Sequence, residues 1–158
     1  MIYNVQIDLS LYGQKFCNLG LSSLINKDKI SVVFVCLGNI CRSPTAHGVF
    51  RELVERSGLA HRIEIDSAGT AAYHVGNSPD HRSAAAARQR GYDLSDLRAR
   101  QAIVADFEHY DYILAMDVQN LENLQSICPA NYAGYLGLFL ELADLAEREV
   151  PDPYYGGS

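Results

Sequence analysis

The feature that most constrains the fold of this chain is a run of apolar residues that ends in a short, glycine-containing loop, within residues 32–44. Residues 32–35 are β-branched or aromatic, which predicts a buried strand. Apolar residues then recur at the spacing of a helix, at Ala46, Val49, Phe50, Leu53 and Val54. A strand and a helix are therefore expected to meet at a loop formed by residues 36–42.

The ends of this helix carry residues with well-known terminal preferences. Ser43 can act as the N-cap, Pro44 suits the first helical position, and Gly58 can close the far end. The loop therefore leads into a helix N-terminus. Unpaired N–H groups and the positive end of the helix dipole favour an anion there, and Gly38 lets the backbone approach it closely. A phosphate group fits such a site.

Side chains of this loop suit chemistry on a bound phosphoryl group. The field that attracts an anion also stabilises the thiolate of Cys36, which is the reactive form of a cysteine nucleophile. Six residues later, the planar guanidinium of Arg42 can hold two phosphoryl oxygens while charge builds. Asn39 tolerates a left-handed backbone and can brace the loop, and Ser43 can donate its hydroxyl to the thiolate.

The loop and three later segments resemble one known family. Residues 35–44, Val-Cys-Leu-Gly-Asn-Ile-Cys-Arg-Ser-Pro, closely resemble the phosphate loop of the low-molecular-weight protein tyrosine phosphatases, with bacterial-type members as the nearest pattern. Further family segments follow in the same order, at residues 66–70 (Asp-Ser-Ala-Gly-Thr), 115–117 (Ala-Met-Asp) and 152–155 (Asp-Pro-Tyr-Tyr). The resemblance extends over about residues 30–158.

This resemblance implies hydrolysis of phosphotyrosine through a phosphocysteine intermediate, without a metal or other cofactor. Cys36 would be the nucleophile, Arg42 would stabilise the phosphoryl charge, and Asp152 would be the general acid and base. By itself an Asp-Pro pair more often forms a turn, so the role of Asp152 comes from the resemblance. The family's phosphate-binding segment corresponds to Leu37, Gly38, Asn39, Ile40, Cys41, Arg42 and Ser43.

The resemblance also implies an aromatic pocket. Tyr73 occupies the position of an aromatic residue that forms one wall of the family's pocket, and Tyr154 and Tyr155 would flank its mouth. A deep aromatic slot suits phosphotyrosine better than phosphoserine, whose side chain is too short to bring its phosphate down to Cys36.

The four cysteines do not have the spacing of a secreted disulfide framework. Cys17 and Cys128 have no neighbouring Cys or His in the sequence, so a metal site is not expected. Cys41 has two interpretations: a small buried side chain, or a partner that forms a reversible disulfide once Cys36 is oxidised. The resemblance favours the redox role, because the second loop cysteine is the resolving partner in the family.

The order of elements predicts an α/β fold. Further strands are expected at residues 62–66, at residues 112–116 and in the first half of residues 135–142. One helix is expected from Ser78 to Gly91, and another begins at Asp117. This alternation indicates a single three-layer domain, with a central, mostly parallel four-stranded sheet flanked by helices and a phosphate loop after the first core strand.

Polar residues outside the loop carry weaker signals. His74 and His81 are expected on the surface. Some family members place a histidine where Arg90 stands, in support of the phosphate loop, so the residue that provides this support here is open. Arg98, Arg100 and Gln101 are expected to be solvated or to brace the sheet.

The domain organisation follows from the extent of the resemblance. Residues 1–29 are expected to be an N-terminal extension, either loosely packed or a docking arm, and residues 30–158 the phosphatase domain. The family pattern continues past Ser158 with another helix. The domain is therefore expected to be C-terminally incomplete, either as a fragment or with another element on that face.

Composition limits the partners. The formal net charge is −6 and no basic run is present, which argues against nucleic acid, and no apolar run reaches membrane-spanning length. Without a convincing signal peptide, the chain is expected in the cytoplasm. The expected partner is a tyrosine-phosphorylated protein, such as a bacterial tyrosine kinase, and the expected product is inorganic phosphate.

Two other functions are open at this point. Arsenate reductases of the same fold share the Cys-x5-Arg loop but relay a disulfide through further cysteines, and downstream of Cys41 this chain has only Cys128. The second alternative is a catalytically impaired module that binds phosphotyrosine without turning it over.

Overall fold

The computed structural model describes residues 27–143 and 145–154. Residues 1–26 of the expected N-terminal extension lie outside the described residues, so the structure does not test that prediction. Cys17 and Tyr155 also lie outside the described residues. Lys27, inside the expected extension, forms an ion pair with Asp111 of the folded domain.

Four strands form the central sheet: β1 (Ile30–Cys36), β2 (Ile63–Gly69), β3 (Tyr112–Ala115) and β4 (Tyr135–Leu138). Their order across the sheet is β2-β1-β3-β4, and every neighbouring pair is parallel. The central strands β1 and β3 are buried almost throughout, as the continuous apolar runs of a sheet covered on both faces require. The predicted four-stranded parallel sheet is confirmed.

The helices that cover the sheet are α1 (Arg42–Arg56), α2 (His81–Gln89), the short α3 (Asp106–His109) and α4 (Val118–Ile127). A 3₁₀ helix, Phe139–Ala143, follows β4. Gly58 has φ +70° just after α1, and Gly91 has φ +86° just after α2, so both predicted helix ends are confirmed. Asp117 caps α4 as predicted, because its carboxylate accepts a hydrogen bond from the backbone of Asn120.

Alternate residues of β1 pack into two separate apolar cores. Val33 and Val35 face one core, which includes Leu124 of α4. Val32, Phe34 and Cys36 face the other, beneath α1 and the 3₁₀ helix. The Phe34 ring makes edge-to-face contacts with two aromatic rings of that layer, those of Phe50 and Phe139. Helices on both faces give the predicted three layers.

Two predicted helix starts are wrong by two or three residues. The N-cap of α1 is Cys41 rather than Ser43, which lies inside the helix. The chain turns sharply at Asn39, where φ is +55°, and so enters the helix sooner than the capping preference of serine indicates. The N-cap of α2 is Asp80 rather than Ser78, because its carboxylate accepts hydrogen bonds from the N–H groups of two residues in the first turn.

The register of the sheet brings the functional segments to one edge. Cys36 at the end of β1 lies beside Gly69 at the end of β2, and Val35 lies beside Ala115 at the end of β3. The loops that follow these three strands therefore meet at the carboxyl edge, where parallel α/β sheets commonly bind ligands.

Candidate active site

The thiol of Cys36 lies at the base of the loop between β1 and α1 and is buried, with 3% of the residue exposed. Its sulfur lies 3.1 Å from the hydroxyl oxygen of Ser43 and accepts a hydrogen bond from the backbone N–H of Asn39 at 3.3 Å. These two contacts fix the position of the sulfur at the base of the loop. The predicted contact between Ser43 and Cys36 is therefore present.

The backbone of the phosphate loop directs carbonyl groups toward the two flanking segments and N–H groups away from them. The carbonyl oxygens of Leu37 and Ile40 accept hydrogen bonds of 2.9 and 2.8 Å from the N–H groups of Ala71 and Asp80, on segments flanking the loop. The described peptide bonds are trans, so each following N–H group points to the opposite side. This orientation creates the concentration of donors that an anion site needs.

Asn39 braces the loop with both ends of its side chain. Its amide nitrogen donates to the Ser43 hydroxyl at 2.9 Å, and its amide oxygen accepts from the backbone N–H of Arg100 at 2.9 Å. Asn39 is 2% exposed and has a left-handed backbone, as predicted. The loop is thus connected to the segment that carries Arg100.

That segment is fixed by a charged cluster. The guanidinium of Arg100 donates to Asp66 at 2.9 Å and to Asp106 at 3.1 Å, and the Tyr110 hydroxyl donates to Asp66 at 3.0 Å. Burial acts to lower the pKa of Arg100, but the hydrogen bonds and charges of the two carboxylates outweigh it, so the pKa is raised. Arg100 is therefore a brace, one of the two predicted alternatives.

The guanidinium of Arg42 is buried and held by protein acceptors. Its Nη1 donates to Asp117 Oδ2 at 2.6 Å and to the Val150 carbonyl at 3.2 Å, and its Nη2 donates to Asp152 Oδ2 at 2.9 Å. Within the described residues, three of the five guanidinium N–H groups therefore contact protein, and two remain for a phosphoryl group. The sequence motifs indicated Arg42 and Asp152, but not the contact with Asp117.

The segment that carries Asp152 is tied to the end of β3. The backbone N–H of Val150 donates to the Met116 carbonyl at 2.7 Å, and the second carboxylate oxygen of Asp152 accepts from the N–H of Tyr154 at 2.9 Å. The Tyr154 ring lies beneath the guanidinium of Arg82, 5.8 Å from its centroid. These contacts keep the carboxylate of Asp152 next to the phosphate loop.

Two ring side chains from the loop after β2 stand beside the phosphate loop. Tyr73 is 78% exposed and, with Leu37, lines a cavity of about 400 Å³. His74 lies against Gly38, because a Cβ atom at Gly38 would come within 2.9 Å of the imidazole ring. His74 is only partly exposed, so its contact with the phosphate loop is a feature that the sequence did not indicate.

The second loop cysteine, Cys41, is partly buried and has a free thiol, as has Cys36. Burial raises the pKa of Cys41, and the charges of Asp80, Cys36 and Asp152 raise it further. A hydrogen bond with Ser83 acts in the opposite direction. The Cys41 thiol is therefore kept protonated in the same loop as Cys36.

Other predicted residues do not join the site. The Arg90 guanidinium donates to the Ala86 carbonyl of its own helix, so Asn39 and Arg100 support the loop instead. His81 is exposed, as predicted. A second cavity near Arg88 and Tyr92 has no phosphate-loop residue in its lining. Across residues 27–143 and 145–154, no group of three or more candidate side chains could hold a metal ion.

Comparison with known proteins places this geometry in context. The family model for low molecular weight phosphotyrosine protein phosphatases matches residues 31–158. The low molecular weight phosphotyrosine protein phosphatase of Schizosaccharomyces pombe is 48% identical over 131 residues, which cover 82% of this chain and 83% of the relative. The low molecular weight protein-tyrosine-phosphatase YfkJ of Bacillus subtilis is 42% identical over 130 residues, with 82% and 83% covered.

Solved structures give the same result. The crystal structure of Bacillus subtilis YfkJ matches with a TM-score of 0.77 at 40% identity and covers 82% of each chain. A protein tyrosine phosphatase from Entamoeba histolytica also gives a TM-score of 0.77, at 39% identity, with 82% of this chain and 83% of that chain covered. Among the residues described for this chain, no helix has the length and apolar character needed to cross a membrane.

Proposed function

The chain belongs to the low-molecular-weight phosphotyrosine protein phosphatases, and from this premise we propose that Cys36, Arg42 and Asp152 carry out its hydrolysis of phosphotyrosine. The observation that carries the proposal is the position of Arg42. Its helix begins at the loop that holds Cys36, and its guanidinium donates to Asp152. One side chain thereby connects the nucleophile loop with the acid.

The first step is attack of the Cys36 thiolate on phosphorus. A sulfur–phosphorus bond forms while the bond from phosphorus to the tyrosine oxygen breaks, and the phosphoryl group passes to the enzyme. The Ser43 hydroxyl and the Asn39 N–H, which contact the sulfur at 3.1 and 3.3 Å, orient the thiolate for this attack. The N–H groups of the loop stabilise the equatorial oxygens.

Arg42 supports the same step from the other side of the phosphoryl group. Its two remaining donors, on Nε and Nη2, border one edge of the planar guanidinium and can bind two phosphoryl oxygens together. The contacts of Asp117 and Val150 with Nη1 fix the plane in advance. A dianionic phosphoryl group also competes with the Asp152 carboxylate for Arg42, which frees Asp152 to face the leaving oxygen.

Asp152 moves the protons. In its protonated form it gives a proton to the departing tyrosine oxygen, which leaves as the neutral phenol. The resulting carboxylate then takes a proton from water as the water oxygen attacks phosphocysteine, so inorganic phosphate is released and the thiolate is restored. No other protein group is needed to balance the protons.

Several further features belong to this proposal. Tyr73, Tyr154 and Tyr155 border the phenyl ring of the substrate, and Leu37, Gly38, Asn39, Ile40, Cys41, Arg42 and Ser43 surround the phosphate. Cys41 forms a disulfide with Cys36 when an oxidant converts the nucleophile to a sulfenic acid, with release of water. The catalytic domain lies within residues 30–158. The substrate is a tyrosine-phosphorylated cytoplasmic protein, such as a bacterial tyrosine kinase.

The test compares the parent chain with the Cys36→Ser and Asp152→Asn variants in EDTA. The substrates are p-nitrophenyl phosphate and a phosphotyrosine peptide. Cys36→Ser is expected to lose all measurable turnover while still binding phosphate. Asp152→Asn is expected to lose about 10²- to 10⁴-fold in kcat with the peptide, but less with p-nitrophenyl phosphate, whose better leaving group needs less protonation. Glu147→Gln, which neutralises an exposed carboxylate of the preceding segment, is the matched control.

Three results would contradict the proposal. Turnover by Cys36→Ser at the parent rate would exclude the phosphocysteine route. An equal loss in Glu147→Gln and Asp152→Asn would remove the special role of Asp152. A folded parent that binds phosphate but does not turn over either substrate would be a binding module.

A further inference from the structure

A groove opens beside the phosphate loop and runs along the C-terminal half of α4. Its volume is about 400 Å³, and it is lined by residues from the loops after β1 and β2, by the segment after α2, and by α4. The lining includes the apolar residues Leu37, Ala102, Leu124 and Ile127. The catalytic steps proposed above do not use this groove.

The groove is continuous with the proposed substrate pocket. Leu37 follows the nucleophile directly in the chain, and Tyr73 is the proposed wall for the phenyl ring; both line the groove. A peptide whose phosphotyrosine enters the pocket therefore passes the mouth of the groove with a neighbouring residue. The position of the groove indicates a subsite for the polypeptide substrate rather than a separate site.

The chemistry of the lining selects what can bind. None of the lining residues carries a charge. Gln101 and Asn123 supply amide groups that can hydrogen-bond a peptide backbone, and Ile127 is 39% exposed at the edge. An apolar side chain placed here gains from burial, whereas a charged side chain loses hydration without gaining a partner.

A charged side chain lies beside another residue of the proposed substrate pocket. The guanidinium of Arg82 donates to the Asp80 carboxylate, lies over the Tyr154 ring and is exposed. This charged surface is separate from the lining of the groove, which includes none of these three residues.

We propose that this groove binds an apolar side chain of the protein substrate at a position flanking the phosphotyrosine, and so selects substrates in which that residue is uncharged. The inference rests on the proposed function of Cys36, because it assumes that a phosphotyrosine polypeptide is bound there. The occupant is a segment of the substrate, not a free metabolite.

The test uses phosphotyrosine peptides in which one flanking position at a time carries Leu, Asp or Lys. The parent is expected to prefer Leu at one position by about tenfold in kcat/KM. Ile127→Glu and Asn123→Glu place a carboxylate in the groove and are expected to abolish that preference. Gln125→Glu adds the same charge to an exposed position of α4 outside the lining and is expected to keep it. Two groove variants are used because a local packing defect in one of them would not be shared by the other.

Hydrolysis of p-nitrophenyl phosphate separates the two proposals, because this substrate has no flanking residue. All three variants are expected to hydrolyse p-nitrophenyl phosphate at the rate of the parent. If the parent itself does not hydrolyse p-nitrophenyl phosphate, the result counts against the proposed function and not against the groove. Binding of the same peptides to Cys36→Ser, measured by calorimetry, makes the comparison without turnover. Equal rates and equal Kd for the Leu, Asp and Lys peptides at every position would overturn the groove proposal, as would an unchanged Leu preference in both groove variants.

Discussion

The carboxylate of Asp117 lies 2.6 Å from Nη1 of Arg42, and its other oxygen accepts a hydrogen bond from the backbone N–H of Asn120 at 2.7 Å. With its amide nitrogen oriented toward Asp117, the buried Asn120 side chain also donates to both oxygens, at 3.0 and 3.1 Å. One carboxylate therefore caps α4 and fixes the guanidinium of Arg42. Under the proposed mechanism, Asp117 therefore couples the stability of this helix to catalysis.

The Asp117→Asn variant separates these two roles. Asparagine caps helices about as well as aspartate, so the melting temperature is expected to stay near that of the parent. An amide cannot pair with the guanidinium as a carboxylate does, so kcat/KM for phosphotyrosine is expected to fall by about tenfold. Asp117→Ala loses both contacts and is expected to lower the melting temperature as well. Equal kcat/KM for Asp117→Asn and the parent would show that Arg42 does not need this contact.

Substitutions of Asn39 distinguish backbone strain from side-chain bracing. Asn39→Gly accepts the φ of +55° but loses the hydrogen bonds to Ser43 and to the Arg100 backbone. We expect a loss of about 2 kcal/mol in the free energy of unfolding and a lower kcat. Asn39→Ala also places a Cβ atom on a left-handed backbone, and its free energy of unfolding is expected to be about 1 kcal/mol lower than that of Asn39→Gly. Urea unfolding and steady-state kinetics of both variants provide the measurement, and a more stable alanine variant would contradict the strain argument.

Thr70, just after β2, carries a buried hydroxyl that has no hydrogen-bond partner among the described residues. Its backbone N–H donates to the Cys36 carbonyl at 2.9 Å and is unaffected by a change of side chain. Thr70→Val replaces the hydroxyl with a methyl group of similar size and is expected to raise the free energy of unfolding by about 1 kcal/mol. Thr70→Ser keeps the hydroxyl, loses the methyl group and is expected to be destabilised. Destabilisation of the valine variant in urea unfolding would show that the hydroxyl has a partner, such as water.

His47 of α1 makes the stability of the fold depend on pH. Burial lowers the pKa of His47 from 6.5. The negative charge of Asp66 opposes this shift, the positive charge of Arg51 adds to it, and the negative charge of Asp96 opposes it more weakly. The unfolded chain therefore binds a proton more readily, so the stability contributed by neutral His47 is complete above pH 6.5 and is lost as the pH falls below it. The structure places its Nδ1 3.3 Å from the Ser67 hydroxyl.

The measurement for His47 is urea unfolding at a pH above 6.5 and at one below it. The parent is expected to lose more stability on acidification than His47→Gln, whose amide stays neutral and can still hydrogen-bond to Ser67. The carboxylates are the same in both proteins, so their contribution to the pH dependence cancels when the two losses are compared. His81→Gln, at an exposed position, is expected to behave like the parent. An identical loss in His47→Gln and the parent would exclude His47 as the source.

Local sequence signals were sufficient where neighbouring residues determine the structure. The apolar run of β1, the glycine after α1 and the carboxylate that caps α4 act within a few residues, and the structure confirms each of them. The spacing between Cys36 and Arg42 also lies within one loop and one helical turn. The parallel direction of the strands followed from the alternation of strands and helices, because parallel strands need crossover connections.

Contacts between distant segments gave no such signal. Asp117 was recognised as a helix cap, but its contact with Arg42 joins residues 75 positions apart. The imidazole of His74 lies over Gly38 only because β1 and β2 end side by side. Ser43 was expected as the N-cap of α1, but the turn at Asn39 starts the helix sooner and places Ser43 inside it, while the predicted contact of its hydroxyl with the Cys36 sulfur is present. Each outcome depends on how the sheet edge assembles.

The hydroxyl of Ser43 has a single hydrogen and two acceptors within reach, the Cys36 sulfur at 3.1 Å and the Ala68 carbonyl at 3.3 Å, while Asn39 donates to its oxygen. A thiolate attracts that hydrogen more strongly than a neutral carbonyl does, whereas a sulfur bonded to phosphorus attracts it less. The Ser43 hydrogen therefore has two orientations, one toward the sulfur and one toward the strand, and exchange between them displaces no heavy atom. In the mechanism proposed above, the charge on sulfur would select between the two.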